Sequence, residues 1–407
     1  MEVQVAIDLL IIDGPPYRGM PRNGITRRTE RDRLIEDRIN DVAHAHAVHG
    51  EHESPSLWIH KRKRVVTVER FQRPDAVRAW ARRLRRELVV AALMLAGALA
   101  FLAAVRELFV LQVLSFVFIF AIYAQSWNLA AHSGQHSLGH ATFLGLGSYG
   151  SILLATRLGV PPAVALFLGP LLPALAGLGI GALCRRLREA YFGMVTFGCS
   201  TIIQVLVVEQ FGWLTNRWDG LDAPRLAPEG LAIERAAVFN YLVGLALMVA
   251  TYVVVASIMR SRTGLAFVAI HDNETVAAAA GVSVVRYRLL AMTVGGYIAG
   301  LAGALNGHTL TRHISPGVFG IEDSIWPVLY SIAGGLGTAE GPILGTLVVR
   351  VFWEWAIRRV GGFDSLILIG LMLALVVTML PRGIYPVVAR ALGAIGARLR
   401  RRAEARP

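Results

Sequence analysis

The sequence predicts an all-α, polytopic membrane bundle of about ten transmembrane helices with both termini in the cytoplasm, and three observations carry that prediction. Of 407 residues, 55% are hydrophobic and only 17% are charged, where a soluble domain has about 25% charged residues. The apolar residues come in long uncharged blocks rather than in the short alternations of water-facing strands and helices. The basic residues are unevenly shared between the segments that flank those blocks. A mean hydropathy of +0.52 agrees with this and excludes an ordinary cytosolic enzyme.

Taken in order, residues 1–87 form a cytoplasmic basic extension, with turn signals at Gly14-Pro15-Pro16 and basic runs at Lys61-Arg62-Lys63-Arg64 and Arg82-Arg83-Leu84-Arg85-Arg86. The first long apolar block begins too late for a signal peptide and lacks a small-residue cleavage site, so the extension is expected to stay inside. His44, His46, His49 and His52 offer metal-binding side chains. The surrounding composition is that of a solvated tail with little order. From Leu88 to Val105 no side chain is polar, enough to cross a hydrocarbon core of about 30 Å. Further spans are expected near 108–130, 139–156, 160–183, 190–211, 238–259, 289–311, 321–335, 342–357 and 364–380. The blocks at 321–335 and 342–357 are short enough to be re-entrant instead. A transmembrane domain over 88–383 and a basic cytoplasmic tail over 384–407 complete the division.

Arginine and lysine positions test the count. With the N-terminus inside, the inner segments collect 32 of the 41 basic residues, among them Arg185, Arg186, Arg188, Arg260, Arg262, Arg286 and Arg288. The outer segments collect eight, and Arg350 falls within a span. That bias fits ten spans with both ends cytoplasmic. It also accounts for the net charge of +13 without nucleic acid, since no basic-aromatic motif is present. Glycines four apart, Gly177 and Gly181, Gly296 and Gly300, Gly341 and Gly345, predict close helix packing, because helices in lipid gain little from burying apolar surface against each other.

Several chemistries are unsupported. Cys184 and Cys199 make no disulfide framework or zinc spacing. The two lysines, Lys61 and Lys63, are each followed by arginine, so no P-loop exists and the chain is expected to carry no ATPase site, cofactor or metal of its own. Gly145-Leu146-Gly147-Ser148-Tyr149-Gly150 matches the dinucleotide fingerprint, but inside an apolar block it reads as a packing surface. His132, His136 and His140 are spaced by four and could ligate a metal on a continuous helix. The intervening Ser133-Gly134-Gln135 and Ser137-Leu138-Gly139 favour a broken helix beside a polar cavity, which makes Gly134, Gln135, His136, Ser137 and His140 candidate pathway residues. Arg350 and Glu354 can pair across one helical turn, and Glu322 and Asp323 suit a helix N-terminus.

The loop 260–288 carries a second candidate site. Asp272-Asn273 supplies capping side chains, Glu274 puts negative charge in the first turn, Val276 to Ala280 is a small-residue helical run, and Gly281 offers a left-handed stop. The result is a short helix surfaced by alanine, suited to a groove on another protein. Glu274, Ala277, Ala278 and Gly281 are its candidate docking residues.

Gly134-Gln135-His136-Ser137-Leu138-Gly139-His140-Ala141, then Phe143 and Gly145-x-Gly147-x-Tyr149, resembles the signature of the branched-chain amino acid ABC importer permeases, in particular the LivM-type subunit. The similarity continues in order through Arg186-Leu187-Arg188, Tyr191-Phe192, Val195-Thr196, Thr215-Asn216 and Asp219-Gly220-Leu221. It then runs through Ala269-Ile270 to Glu274, Ala277, Ala278 and Gly281, and Arg286-Tyr287. Gly300 to Ala304, Ser315-Pro316, Gly334-Gly335-Leu336-Gly337-Thr338, Gly341-Pro342 and Pro381-Arg382-Gly383 complete it, over about residues 110–385. The resemblance implies a permease subunit of a bacterial inner-membrane importer, paired with a second permease subunit, two ABC ATPase subunits and a periplasmic or surface substrate-binding protein. Its cargo would be branched-chain or other hydrophobic amino acids, moved by alternating access, with the helix at Glu274 to Gly281 seated on an ATPase.

The chain departs from that pattern at His136, at Trp326 in Ser324-Ile325-Trp326, and at His271. Urea and short amides, carried by relatives, remain alternative solutes. A stand-alone channel or secondary transporter is the alternative from another class, and it would act without an ATPase.

Overall fold

The computed structural model describes residues 75–104, 107–185, 187, 189–360, 362–380 and 383–391. The histidines of the extension and most of the basic tail lie outside these residues. All the elements below belong to the unit Val77–Pro407, apart from the first two residues of α1.

The first helix, α1 (Asp75–Ala104), is continuous from the end of the basic extension into the apolar block. The Arg-rich stretch 82–86 is therefore helical rather than a tail, and only the C-terminal part of α1 is apolar enough to enter lipid. Then follow α2 (Leu108–Ala131), α3 (Ala141–Arg157), α4 (Pro162–Leu168), α5 (Leu171–Leu183), α6 (Glu189–Val205) and the single turn α7 (Gly212–Thr215). The second half holds α8 (Ile233–Met259), α9 (Arg262–Asp272), α10 (Glu274–Ala279), α11 (Val284–Asn306), α12 (Ile321–Gly334), α13 (Gly341–Arg359) and α14 (Gly362–Met379). Helix thus forms at all ten positions where a span is expected. Six stretches among the described residues are both long and apolar enough to cross a bilayer: Glu87–Ala104, Leu108–Ala131, Pro162–Leu183, Tyr191–Gln210, Ile233–Met259 and Val284–Thr311. The protein is an all-α membrane helix bundle.

Two local features differ from the expectation. The block 160–183 is two helices, because Pro170 lacks an N–H and Gly169 lies so close to α3 that a Cβ there would meet the backbone of Ser151. A two-residue antiparallel ribbon also forms, β1 (Leu221–Asp222) against β2 (His313–Ile314), in the register Leu221 to Ile314 and Asp222 to His313. β2 follows directly on the π-helical turn that ends α11 (Gly307–Thr311), whereas α7 and a 3-10 turn at Arg217–Asp219 separate β1 from the π-helical end of α6 (Leu206–Gln210).

The core is built on α2 and α11, where Ala121, Ile122, Tyr123, Ala124, Ala299, Ala302, Ala304 and Leu305 are fully buried. Small residues permit the approach. Gly147 on α3 faces Gly300 backbone on α11, Gly177 on α5 faces the Met292 carbonyl, and Gly296 faces the Pro173 carbonyl. Of the glycines spaced by four, Gly177, Gly181, Gly296, Gly300 and Gly345 sit at helix crossings, while Gly341 abuts the turn at Gly335 and Thr338; the fingerprint-like run in α3 also lies at a crossing, with Gly145 under the Phe319 ring. Arg350 and Glu354 on α13 pair at 3.2 Å, and the guanidinium lies over Phe116 at 4.9 Å and Phe120 at 5.3 Å. Glu322 and Asp323 occupy the first turn of α12.

Candidate functional site

The helix stops at Ala131, where His132 to Gly134 turn the chain back; Gly134 takes φ +81°, which a side-chain-bearing residue rarely adopts. The segment then climbs beside α2. His140 reaches the level of Tyr123 and Ser126: its Nε2 lies 2.8 Å from Ser126 Oγ and its ring stacks on Tyr123 at 5.5 Å. At 1.5 Å per residue that is about 10 Å above the end of α2, so α3 starts within the bundle. There it meets the start of α12. Ala141 N–H, one of the donors a helix start leaves without an internal partner, is accepted by Ser324 Oγ at 3.1 Å, and Tyr123 Oη–H donates to the Asp323 carbonyl at 2.9 Å.

The hydrogen bonds fix a tautomer. Ser126 Oγ–H donates to the Tyr123 carbonyl at 2.6 Å, and a hydroxyl has a single proton. Ser126 must therefore accept from His140, which carries its hydrogen on Nε2. Nδ1 is left as an acceptor, buried and without a hydrogen bond among the described residues.

Of the pathway candidates, Gln135, Ser137 and His140 are buried within this chain. Gln135 Oε1 accepts from Ser133 Oγ at 3.0 Å, and the Ser137 carbonyl accepts from Trp127 Nε1 at 2.8 Å. Gly134 and His136 are half-buried. His136 lies between Trp127, at 6.0 Å, and His271 at the end of α9, at 5.8 Å. Gly134 also abuts His271. Burial, reinforced by the neighbouring His271, pushes His132 down to about 4, with Asp272 opposing, so this ring is neutral at physiological pH. His132, His136 and His140 face different partners, and among the described residues no three His, Cys, Asp or Glu side chains gather where they could hold a metal.

Sequence reading missed Asn128. It is fully buried, its Nδ2 donates to the Thr338 carbonyl at 2.8 Å, and its Oδ1 accepts from Gly337 N–H at 3.1 Å. This ties the end of α2 to the Gly-rich turn between α12 and α13. Asn128→Ala leaves both backbone groups unpaired and is expected to cost about 2 kcal/mol, read as a lowered unfolding temperature of the purified protein; an unchanged temperature would show that the turn does not depend on this side chain.

The loop candidates form the expected helix. Ser261 caps α9 by accepting from Thr263 N–H at 3.1 Å, and Phe267 and Ile270 bury α9 against the bundle. Asn273 Oδ1 caps α10, accepting from Thr275 N–H at 3.0 Å and Val276 N–H at 3.1 Å. Glu274 pairs with Arg288 of α11 at 3.1 Å, and Gly281 closes the helix at φ +83°. The four candidates do not share a face. Ala278, with Thr275, Val276, Ala279 and Ala280, is exposed, whereas Ala277 is 4% exposed and packs inward. Ala277 seats the helix on its own chain; Ala278 presents it outward. The break and the loop are contiguous, because His271, one residue before the capping pair, touches both Gly134 and His136.

A description of known permeases, the branched-chain amino acid transport system / permease component, matches residues 109–377. The chain is 27% identical over 277 residues to the high-affinity branched-chain amino acid transport system permease protein LivM of Escherichia coli, covering 62% of this chain and 64% of that protein. It is 22% identical over 237 residues to a probable branched-chain amino acid transport permease protein LivM of Methanocaldococcus jannaschii, covering 54% and 68%. The fructose import permease protein FrcC of Rhizobium meliloti is 29% identical over 238 residues, covering 55% and 64%. The chain thus spans less than two thirds of the length of the Escherichia coli relative. No solved structure matches it.

Proposed function

Because the chain belongs to the branched-chain amino acid transport permease family, we propose that it is the LivM-type membrane subunit of an ATP-driven importer for branched-chain or other hydrophobic amino acids. The observation that carries this reading is α10, a helix of six residues capped by Asn273, tied to α11 by Glu274 and Arg288, and exposing Val276 and Ala278. An alanine-rich helix held so firmly yet left uncovered suits a groove on an ATPase. The chain has no P-loop, so the energy enters from that partner, and a second permease, two ATPases and a substrate-binding protein complete the assembly.

In this reading ten spans cross a bacterial inner membrane with both termini inside. The extension 1–87 and the tail 384–407 face the cytoplasm, and the membrane domain covers 88–383. Supporting the orientation, Glu87, the end of α2, the loop 260–288 and the turn Gly335–Thr338 cluster at one end of the bundle, and that loop carries Arg260, Arg262, Arg286 and Arg288. The polar break Gly134 to His140 and the start of α12 form the wall of the solute route at membrane depth, where irregular backbone is tolerated because protein satisfies it. Alternating access follows if ATPase closure pulls α10, and His271 carries that displacement to His136 and Gly134. A packed bundle of this kind switches between discrete arrangements rather than deforming continuously.

Purification from native membranes tests the reading. Expected is co-purification of ATPases, a second permease and a binding protein, with ATP-dependent leucine uptake after reconstitution. Solute movement in liposomes by a complex with no ATPase would replace the importer with a channel or secondary transporter. Uptake of fructose, urea or short amides instead of leucine would keep the machine and change its cargo.

A further inference from the structure

We propose that Glu87, Arg260 and Glu340 form a clamp that transmits movement of the docking loop to the bundle, with Arg260 as its positioning residue. The proposal rests on α10 docking to an ATPase, and assigns the residues that carry the motion inward. Arg260 is the joint between the two parts: its N–H closes α8 on the Ala256 carbonyl at 3.1 Å, and the next residue, Ser261, caps α9. Its guanidinium reaches out of the loop in two directions. One nitrogen pairs with Glu87 on α1, and the other lies 2.9 Å from Glu340, the residue that opens α13. Tyr252, two turns back along α8, has its hydroxyl 2.6 Å from Glu87 Oε2 and 3.2 Å from Glu340 Oε1. Three helices distant in sequence therefore converge on the root of the loop.

The electrostatics make this joint act as a unit. The side chains of Glu87 and Glu340 are only 2% and 8% exposed, while Arg260 is 28% exposed. Among the described residues, Arg260 is the cation paired with either carboxylate. A buried carboxylate that loses its cation is strongly disfavoured, because low-dielectric surroundings penalise an uncompensated charge. Arg260 thus cannot leave one acid and stay with the other without cost, and displacement of α9 and α10 is passed to α1 and α13 together. Glu340 follows the turn that Asn128 holds, so the same displacement reaches the end of α2.

The clamp also gives α1 a role. The family match begins at residue 109, after α1 has ended. The membrane part of α1 is largely exposed apolar surface, with Leu88, Val89 and Leu93 each more than half exposed. Among the described residues, two polar tethers join it to α8: this cluster, and Tyr241 Oη–H donating to the Ala98 carbonyl at 2.8 Å. A helix outside the family region is thereby drawn into the path of energy transmission.

The test uses the full transporter in liposomes, reading solute imported per ATP hydrolysed. The triple variant Glu87→Gln, Arg260→Gln, Glu340→Gln removes all three charges and leaves no ion unpaired. It is expected to bind ATPases as the native chain does, and to import about tenfold less solute per ATP, the size of a typical coupling between sites. If this variant does not accumulate, Glu340→Gln alone, which leaves the Arg260 and Glu87 pair balanced, gives the same reading. A cluster that only stabilises the fold would lower the unfolding temperature, or would lower uptake and hydrolysis in proportion; an unchanged ratio overturns the clamp. The docking reading fails separately, if ATPases still bind an Ala278→Arg chain.

Discussion

Ala278→Arg is expected to abolish ATP-driven uptake while leaving the permease folded and in the membrane. Ala278 is exposed on α10, so a long side chain there meets no part of its own chain. On the proposed surface it meets a partner groove shaped for a methyl group. Forcing a bulky side chain into a packed contact costs up to about 3 kcal/mol, and each 1.4 kcal/mol is about tenfold in affinity, so ATPase binding falls on the order of 100-fold. The added charge lies among inner basic residues and does not disturb the orientation bias. The neighbouring position supplies the contrast. Ala277→Arg would push a charge into the contact between α10 and its own bundle, since Ala277 is 4% exposed, and its expected signature is a less stable permease rather than a folded one that has lost its ATPase. Co-purification of tagged ATPases with each variant, beside unfolding temperatures, separates the two; full ATPase retention by a folded Ala278→Arg chain would remove α10 as the docking element.

That contrast marks where the sequence stops being legible. The caps of α10 were readable because Asn273, Glu274 and Gly281 are residue types with specific backbone roles. The register was not, because an alanine run has no polarity to tell the inward face from the outward one. Helix positions were readable for a similar reason: a backbone in lipid must satisfy its own hydrogen bonds, which demands continuous apolar blocks. The break of 160–183 had a visible signal in Gly169-Pro170. The long-range polar ties had none. Asn128 is one of three amides in α2, with Gln112 and Gln125, and nothing local marks it as the one whose partners, Gly337 and Thr338, are about 210 positions away; Arg260, seen only as an orientation charge, proves to be held by two acids. The break at Gly134 was foreseen as irregular backbone, but only the fold places His136 and Gly134 against His271 and thereby next to the loop.

Gly345→Leu is expected to have the largest effect on stability. α12 and α13 cross where Gly345 faces Gly334, and a Cβ at Gly345 would run into the Tyr330 carbonyl, with Gly334 N at 2.6 Å and Gly334 Cα at 2.9 Å. The three nearest obstructing atoms are all backbone, so rotating a side chain does not relieve the clash and the helices must separate. Separation is not confined to the pair. Tyr330 is fully buried against Phe120 of α2, at 6.1 Å between rings, and Gly334 leads into the turn held by Asn128. In lipid the displaced surfaces gain no hydrophobic compensation, because close backbone packing is what holds the helices together. The expected cost is about 3 kcal/mol or more, at the upper end for overpacked cores. Gly179→Leu is the control: it makes the same change within a helix, where an added Cβ meets nothing within 4 Å, and should leave stability unharmed or raise it by up to about 1 kcal/mol, since it removes a helix-interior glycine. Thermal unfolding of both variants in the same detergent reads the difference. Equal unfolding temperatures would mean that α12 and α13 are not packed backbone to backbone, and the wall that α12 contributes beside His140 would have to be redrawn.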